Sequence, residues 1–398
     1  MSEPRAIVVC PVLPHPPVTG GQKRTLRLLE ALERAGARPY VLSADDGSPE
    51  AAETLRARGW VVDVVPEPPP TARSRLTQHL GAHPTPYLYG VAARLERLQD
   101  EGAALVQLEH TQSAYYPVAP AIPTVLSLHN LDSRLLADGA MNLRPGSAAW
   151  LRAWNRAREM RRVERVALPR ADRVICVSTA DARAAARAGG HVLLAPNGVD
   201  DAFFTVPAAT GGEQAVFFGH FGYEPNRRGI ERFVDEGWPE VLRRRPGATL
   251  AVAGGGMEPA LQRRLEEVPG VRVLGLVDDL TGLLAGSRAL IVPLWVGGGT
   301  RLKVLEALAA ARPVVGTAVS VEGIGFTSGV EGLVGETPAA LAAGVAGLLA
   351  DPARAAKLGA AGRDLAEQFR WPRALARLEA AYRGWVGAAG PIPRRPVD

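Results

Sequence analysis

Short runs of Val, Ile and Leu alternate along the chain with longer Ala-, Leu- and Arg-rich segments of helical period. This is the pattern of parallel strands joined by covering helices. In the first half the runs that predict strands are AIVVCPV, RPYVLS, WVVDVV, ALVQLEH, PTVLSLH, RVICVS and VLLAPN. In the second half they are QAVFFGH, TLAVAG, VRVLG, ALIVPL, PVVGT and EGLVG, with RRGIERFVDEGWPEVLRR, LQRRLEEV, DLTGLLAG and PAALAAGVAGLLAD predicting the helices between them. The fold class is α/β, laid down twice. A seam falls in APNGVDDAFFTVPAATGGEQ, where Asn197 and Gly198 signal a turn and small polar residues precede a fresh strand. The boundary is placed close to Asp201, giving domains over 1–200 and 201–372, and the stretch 391–398, which has no apolar period, is expected to fray.

Composition agrees with two domains, since 398 residues with 47% hydrophobic content exceed one ordinary domain. The start, MSEPRAIVVCPVLP, carries charge and too short an apolar run for a secretory signal. No stretch reaches the roughly 18 apolar residues of a spanning helix, so a cytoplasmic protein is expected. Cys10 and Cys176 sit inside strand-like runs and read as core thiols. A net charge of +5 admits nucleic acid, anionic lipid or phosphorylated small molecules as partners. The densest basic stretch, LRAWNRAREMRRVERVALPR, places Arg152, Arg156, Arg158, Arg161, Arg162 and Arg165 on one helix. A solvated face is its plainer reading, and peripheral membrane contact through residues 151–165 is the other.

Candidate chemistry lies in two glycine-rich strand-to-helix turns, the places where ligands bind open parallel sheets. In CPVLPHPPVTGGQKRTL, Gly20 and Gly21 precede a helix predicted to start near Gln22 and let a phosphate or sugar approach its first N–H groups. In VGGGTRLKVLEALA, a helix beginning near Thr300 would turn the amides of Gly299, Thr300 and Arg301 outward, with Thr300 as cap. Arg301 and Lys303 add charge-assisted hydrogen bonds, a set that suits two phosphates. Glu306, an acceptor one turn on, suits the vicinal hydroxyls of a ribose.

The segment GGGTRLKVLEALAAARPVVGTAVSVEGI resembles the donor-site segment of family 4 glycosyltransferases, retaining enzymes of the GT-B fold. Further likeness runs through VTGG, IPTVLSLHN, ADRVICVSTAD, APNGVD, VFFGHFGYEPN, GLVDDL and FRW. The resemblance implies two Rossmann-like domains whose parallel sheets face across a cleft, an acceptor domain first and a sugar-nucleotide donor domain second. It also implies a last helix, about 373–388, packed back on the first domain. Glu306 matches the second glutamate of the family's pair, and Gly298 stands where the first usually is, in a subgroup with a GGGTRLK loop. Arg228 aligns with the family's phosphate-binding lysine and His220 with its arginine partner. Gly21, Gly219, Gly298, Gly299, Thr300, Arg301 and Lys303 complete the implied donor site, and His129 matches a histidine that faces the donor sugar. His129 and Glu306 are the expected catalytic residues, and His110, Tyr115 and Asn130 the expected acceptor side.

The implied reaction moves a sugar from a UDP- or GDP-sugar to a hydroxyl or amine of a small-molecule, lipid or glycan acceptor. No cofactor, metal or nucleic acid is expected, and the chain contains no Asp-x-Asp motif. Two other classes are weighed. A non-catalytic sugar-nucleotide or glycan-binding protein is suggested by the missing first glutamate. A nicotinamide-dependent dehydrogenase needs G-x-G-x-x-G after a strand, and AVAGGGMEPAL offers Gly254, Gly255 and Gly256 without the last spaced glycine.

Overall fold

A computed structural model describes residues 3–44, 48–66, 88–141, 143–208, 212–387 and 392. The chain splits into two compact units, Met1–Pro196 with Leu375–Asp398, and Asn197–Ala374. The stretch expected to fray lies, Ile392 apart, outside the described residues.

The first unit carries strands β1 (Arg5–Cys10), β2 (Arg38–Ala44), β3 (Val61–Val65), β4 (Leu105–Glu109), β5 (Thr124–Ser127), β6 (Arg173–Cys176) and β7 (Val192–Leu194). They form one sheet in the order β3-β2-β1-β4-β5-β6-β7, and every pairing is parallel. Helices cover both faces of such a sheet, so its strands read as apolar runs without polar alternation. Ile7, Val106, Leu126 and Val174 are fully buried in its core. The helix Ala376–Val386, from the far end of the chain, belongs to this unit.

The second unit carries β8 (Gln214–Phe218), β9 (Thr249–Ala253), β10 (Val271–Gly275), β11 (Ala289–Val292), β12 (Val314–Gly316) and β13 (Gly332–Val334). Their order is β10-β9-β8-β11-β12-β13, again parallel throughout. Successive side chains leave opposite faces of a strand, so Phe217 joins the core around Phe233 and Trp238 while Phe218 joins the one around Leu290 and Leu305. The stretch 227–244 predicts a single helix; the structure has two, Glu224–Glu236 and Trp238–Arg244. Pro239 has no N–H to continue the ladder, and the break falls at Gly237.

Each sheet has one point where the strand order reverses, between β1 and β4 in the first unit and between β8 and β11 in the second. Loops leaving the carboxyl ends of the strands diverge there and open a crevice. Behind the second of these points, the fully buried Arg312 ties helix ends together. Its guanidinium donates to the carbonyls of Leu284 at 2.6 Å, Ala310 at 2.9 Å and Pro207 at 2.8 Å. Leu284 and Ala310 lie at the C-terminal ends of the helices Leu280–Ala285 and Leu302–Ala309, where orphan carbonyls and the helix dipole favour a cation.

Candidate functional site

At the reversal in the second unit the loop after β11 runs through Gly297, Gly298 and Gly299 into the helix Leu302–Ala309. The helix starts later than the sequence predicts. Arg301 is its N-cap, with extended backbone and no side-chain cap, because Thr300 is buried with its carbonyl held by Asn197 Nδ2 at 3.0 Å. Gly299 takes φ +69°, a left-handed turn that glycine adopts without steric cost. The Arg301 side chain folds back on the loop, donates to the Gly299 carbonyl and is buried. A Cβ on Gly297 would stand 2.8 Å from its Nη2. Arg301 therefore shapes the loop as well as charging it. Gly298 meets the Tyr223 phenol through its backbone; burial pushes that phenol up, opposed by the Arg301 charge and this hydrogen bond.

Lys303, at the second helical position, points its ammonium to the end of β8. Nζ donates to Asn226 Oδ1 at 2.7 Å and lies 4.4 Å from the centre of the Phe217 ring. Gly219 makes room for it, since a Cβ there would fall 2.5 Å from Nζ. Burial takes Lys303 down to about 7, against the pull of the Glu306 carboxylate and with the repulsion of Arg301. Glu306 itself is buried one turn along the same helix. Asn226 is fixed by donating to the His220 carbonyl at 2.8 Å, and His220 Nδ1 accepts from the Gly222 amide at 3.1 Å. A Cβ on Gly256 would approach the His220 ring to 2.8 Å, so the glycine loop after β9 closes the other side.

Gly219, Gly298, Gly299, Thr300, Arg301, Lys303 and Glu306 thus belong to this loop or its immediate surroundings. Arg228 does not join them. On the helix Glu224–Glu236 it sits nearly opposite Asn226, 59% exposed, and pairs with Glu224 at 2.7 Å. Asn226, passed over in the sequence, occupies the place beside Lys303.

The first unit's reversal holds a second cluster. The helix Gly20–Arg34 starts at Gly20, two residues before the predicted position, under a capping box between Thr19 and Gln22. Gly21 accordingly lies in the first turn, and a Cβ on it would stand 3.0 Å from His129 Nδ1. The glycine seats the histidine ring against the helix start. His129 Nε2 lies 2.7 Å from Glu109 Oε2, and the two rings of His129 and His110 are 4.1 Å apart. Burial takes His110 down to about 3, helped by His129 and resisted by Glu109. His110 also has φ +68° and ψ 154°, a strained conformation for a residue with a side chain, of the kind that concentrates at functional sites. Glu109 is fully buried. Burial pushes its carboxyl up, but the hydrogen bonds from His129 and Gln107 outweigh it and leave it below the usual range.

Asn130 follows His129 and is half-buried. Tyr115 is held elsewhere: its hydroxyl donates to the Val163 carbonyl at 3.3 Å and Arg170 lies over its ring. On the helix Ala148–Ala167 the six arginines from Arg152 to Arg165 are exposed, as are Leu151 and Val166, and Trp150 meets Trp154 edge to face. Among the described residues no helix is long and apolar enough to cross a membrane, and no group of three or more His, Cys, Asp or Glu is placed to hold a metal ion.

Comparison with known proteins agrees with this architecture. Residues 18–203 match the family Glycosyltransferase Family 4, and residues 212–351 match Glycosyl transferases group 1. No curated protein matches the chain. Among solved structures, sucrose-phosphate synthase of Thermosynechococcus elongatus is 21% identical with a TM-score of 0.73, covering 96% of this chain and 99% of that one. HepE of Anabaena, solved with UDP-glucose, is 16% identical with a TM-score of 0.68, covering 96% and 100%. A glycosyltransferase of Rickettsia africae is 13% identical with a TM-score of 0.67, covering 97% and 100%. At these identities the likeness shows the fold: two Rossmann-like units of the GT-B class.

Proposed function

Given that the chain is a group 1 glycosyltransferase, we propose that it transfers a sugar from a UDP- or GDP-sugar to a hydroxyl or amine of a glycan, lipid or natural product, with retention of anomeric configuration. The observation that carries this reading is Lys303. Its half-buried ammonium is held at a helix start, between Gly219 and Asn226, where desolvation takes it down to about 7. A diphosphate placed there returns an anionic partner to the cation and meets the free amides of the first helical turn. The nucleotide complexes of HepE support the same assignment.

In the proposed reaction the bond between the anomeric carbon and the β-phosphate oxygen breaks, and a bond to the acceptor oxygen or nitrogen forms on the same face. The acceptor's proton passes to the departing phosphate. Lys303, Arg301 and the loop amides stabilise the charge growing on that leaving group, and Glu306 holds the ribose. His129 hydrogen-bonds the sugar. No step needs a metal or a protein nucleophile. Contact of the basic helix Ala148–Ala167 with anionic lipid accompanies this proposal, and co-flotation with anionic but not neutral vesicles tests it.

The test is a panel of sugar nucleotides, read first by thermal shift and then by nucleoside diphosphate release. One or more UDP- or GDP-sugars should stabilise the protein, by about 2.7 kcal/mol at a hundredfold excess over Kd, and release diphosphate when an acceptor library is added. Stabilisation with no release across the library would favour a binding protein. Absence of any stabilisation overturns the reading.

A further inference from the structure

A chain of short hydrogen bonds runs from the C-terminal helix to His129. Tyr382 Oη donates to Gln107 Oε1 at 2.5 Å, and Gln107 Nε2 donates to Glu109 Oε1 at 2.6 Å. The other carboxylate oxygen, Oε2, meets His129 Nε2 at 2.7 Å. Tyr382, Gln107 and Glu109 are all fully buried. Gln107 and Glu109 are two apart on β4 and so leave the same face of the strand. Tyr382 is 275 residues from Gln107 in sequence and arrives only because the helix Ala376–Val386 returns to the first unit.

Burying a carboxylate and an amide in an apolar sheet is costly unless every polar atom is met. Part of the carboxylate's role is structural, since Glu109 favours the charge of the buried Arg24 guanidinium and accepts from Thr25 Oγ1 at 3.4 Å; a compensating charge alone does not call for the ordered chain through Gln107 and Tyr382. The chain has a direction and an end. Tyr382 fixes which way the Gln107 amide faces, the amide fixes one oxygen of Glu109, and the remaining oxygen takes the Nε2 proton of His129. The imidazole orientation and tautomer are thereby set, with Nδ1 left over Gly21.

We propose that Glu109 is the positioning residue of His129, and that Gln107 and Tyr382 complete it, so that the C-terminal helix takes part in sugar transfer. The proposal rests on the reading of His129 as the residue that meets the sugar. It differs from a packing role in one measurable way, because a group that acts through His129 has nothing to act on once His129 is gone.

The experiment uses the full chain with Glu109→Gln and Tyr382→Phe, each alone and with His129→Ala. Glu109→Gln should lower kcat about 10- to 100-fold, and Tyr382→Phe about threefold to tenfold, with the KM for the sugar nucleotide within about twofold of the parent. In the His129→Ala background both costs should vanish. Equal costs in both backgrounds overturn the proposal. Independently of activity, the imidazole N–H proton signal that disappears in His129→Ala should move upfield in Glu109→Gln, and an unmoved signal overturns the positioning role. If His129→Ala alone transfers sugar at the parent rate, the reading of His129 falls, while the proton signal still reports whether Glu109 orients it. Should Glu109→Gln fail to fold, Tyr382→Phe, which removes a single oxygen, carries both measurements.

Discussion

Replacing Lys303 by methionine should stabilise the protein while destroying its affinity for nucleoside diphosphates. Burial holds the folded-state value of Lys303 at about 7, against 10.5 for an ordinary lysine. At about 1.4 kcal/mol for each pH unit between these values, keeping the ammonium in place costs folding about 4 to 5 kcal/mol at neutral pH. Methionine fills the same slot and gives up the hydrogen bond to Asn226 and the contact with the Phe217 ring, together about 2 kcal/mol. The net gain is about 2 to 3 kcal/mol. Its pH dependence is distinctive. The unfolded chain keeps the lysine protonated up to 10.5 while the folded chain releases that proton near 7. Parent stability therefore rises with pH across that window, and the advantage of Lys303→Met shrinks by about 1.4 kcal/mol per pH unit above 7. Denaturant midpoints for parent and variant, taken from about pH 6.5 to about pH 9 with m-values compared, give the measurement. A variant less stable than the parent at neutral pH, or a gap that stays constant with pH, refutes the reasoning.

Diphosphate binding above pH 7 should take up a proton, because the ligand's charge restores the ammonium of Lys303; calorimetry in buffers of different ionisation enthalpy reads the uptake, and none would contradict the assignment. Over the same range affinity should fall as pH rises, by up to about tenfold per unit. Glu306→Ala should lose the parent's preference for ribo- over 2′,3′-dideoxyribonucleotides, measured as a ratio of Kd values. Gly219→Ala should weaken diphosphate binding at least about tenfold, because its Cβ would fall 2.5 Å from Lys303 Nζ, while nucleoside binding stays the same.

The thirteen strands among the described residues were legible because a parallel sheet buried on both faces demands continuous apolar runs, and each run in the sequence became one strand. Local breaks were harder to see. Nothing in RRGIERFVDEGWPEVLRR outweighs its helical period except Gly237 with Pro239, and a glycine alone is tolerated inside a helix. The loop glycines, Lys303 and Glu306 were recognisable as a group because they are close in sequence. Arg228 was harder to place because charge in a motif does not reveal which side of a helix carries it; the structure puts it on the exposed side, paired i, i+4 with Glu224. Glu109 had a signal that went unused. Two polar residues, Gln107 and Glu109, inside the apolar run ALVQLEH are more informative than the run itself. Tyr382 had none of its own: the resemblance implies the return of the last helix, but which of its residues meets Gln107 is fixed only by the packing.

The central proposal is that the loop around Lys303 holds the nucleotide and that His129 acts on the sugar. His129→Ala tests it most directly, by calorimetric affinity for the nucleoside diphosphate and by turnover on the same preparation. Every proposed phosphate and ribose ligand lies in Asn197–Ala374, and His129 lies in the other unit. The diphosphate Kd should stay within about twofold of the parent while turnover falls about 10²- to 10³-fold, the loss of one preorganised group that acts in the transition state. Full turnover in a folded His129→Ala protein, or a loss of diphosphate affinity alongside turnover, would contradict the account.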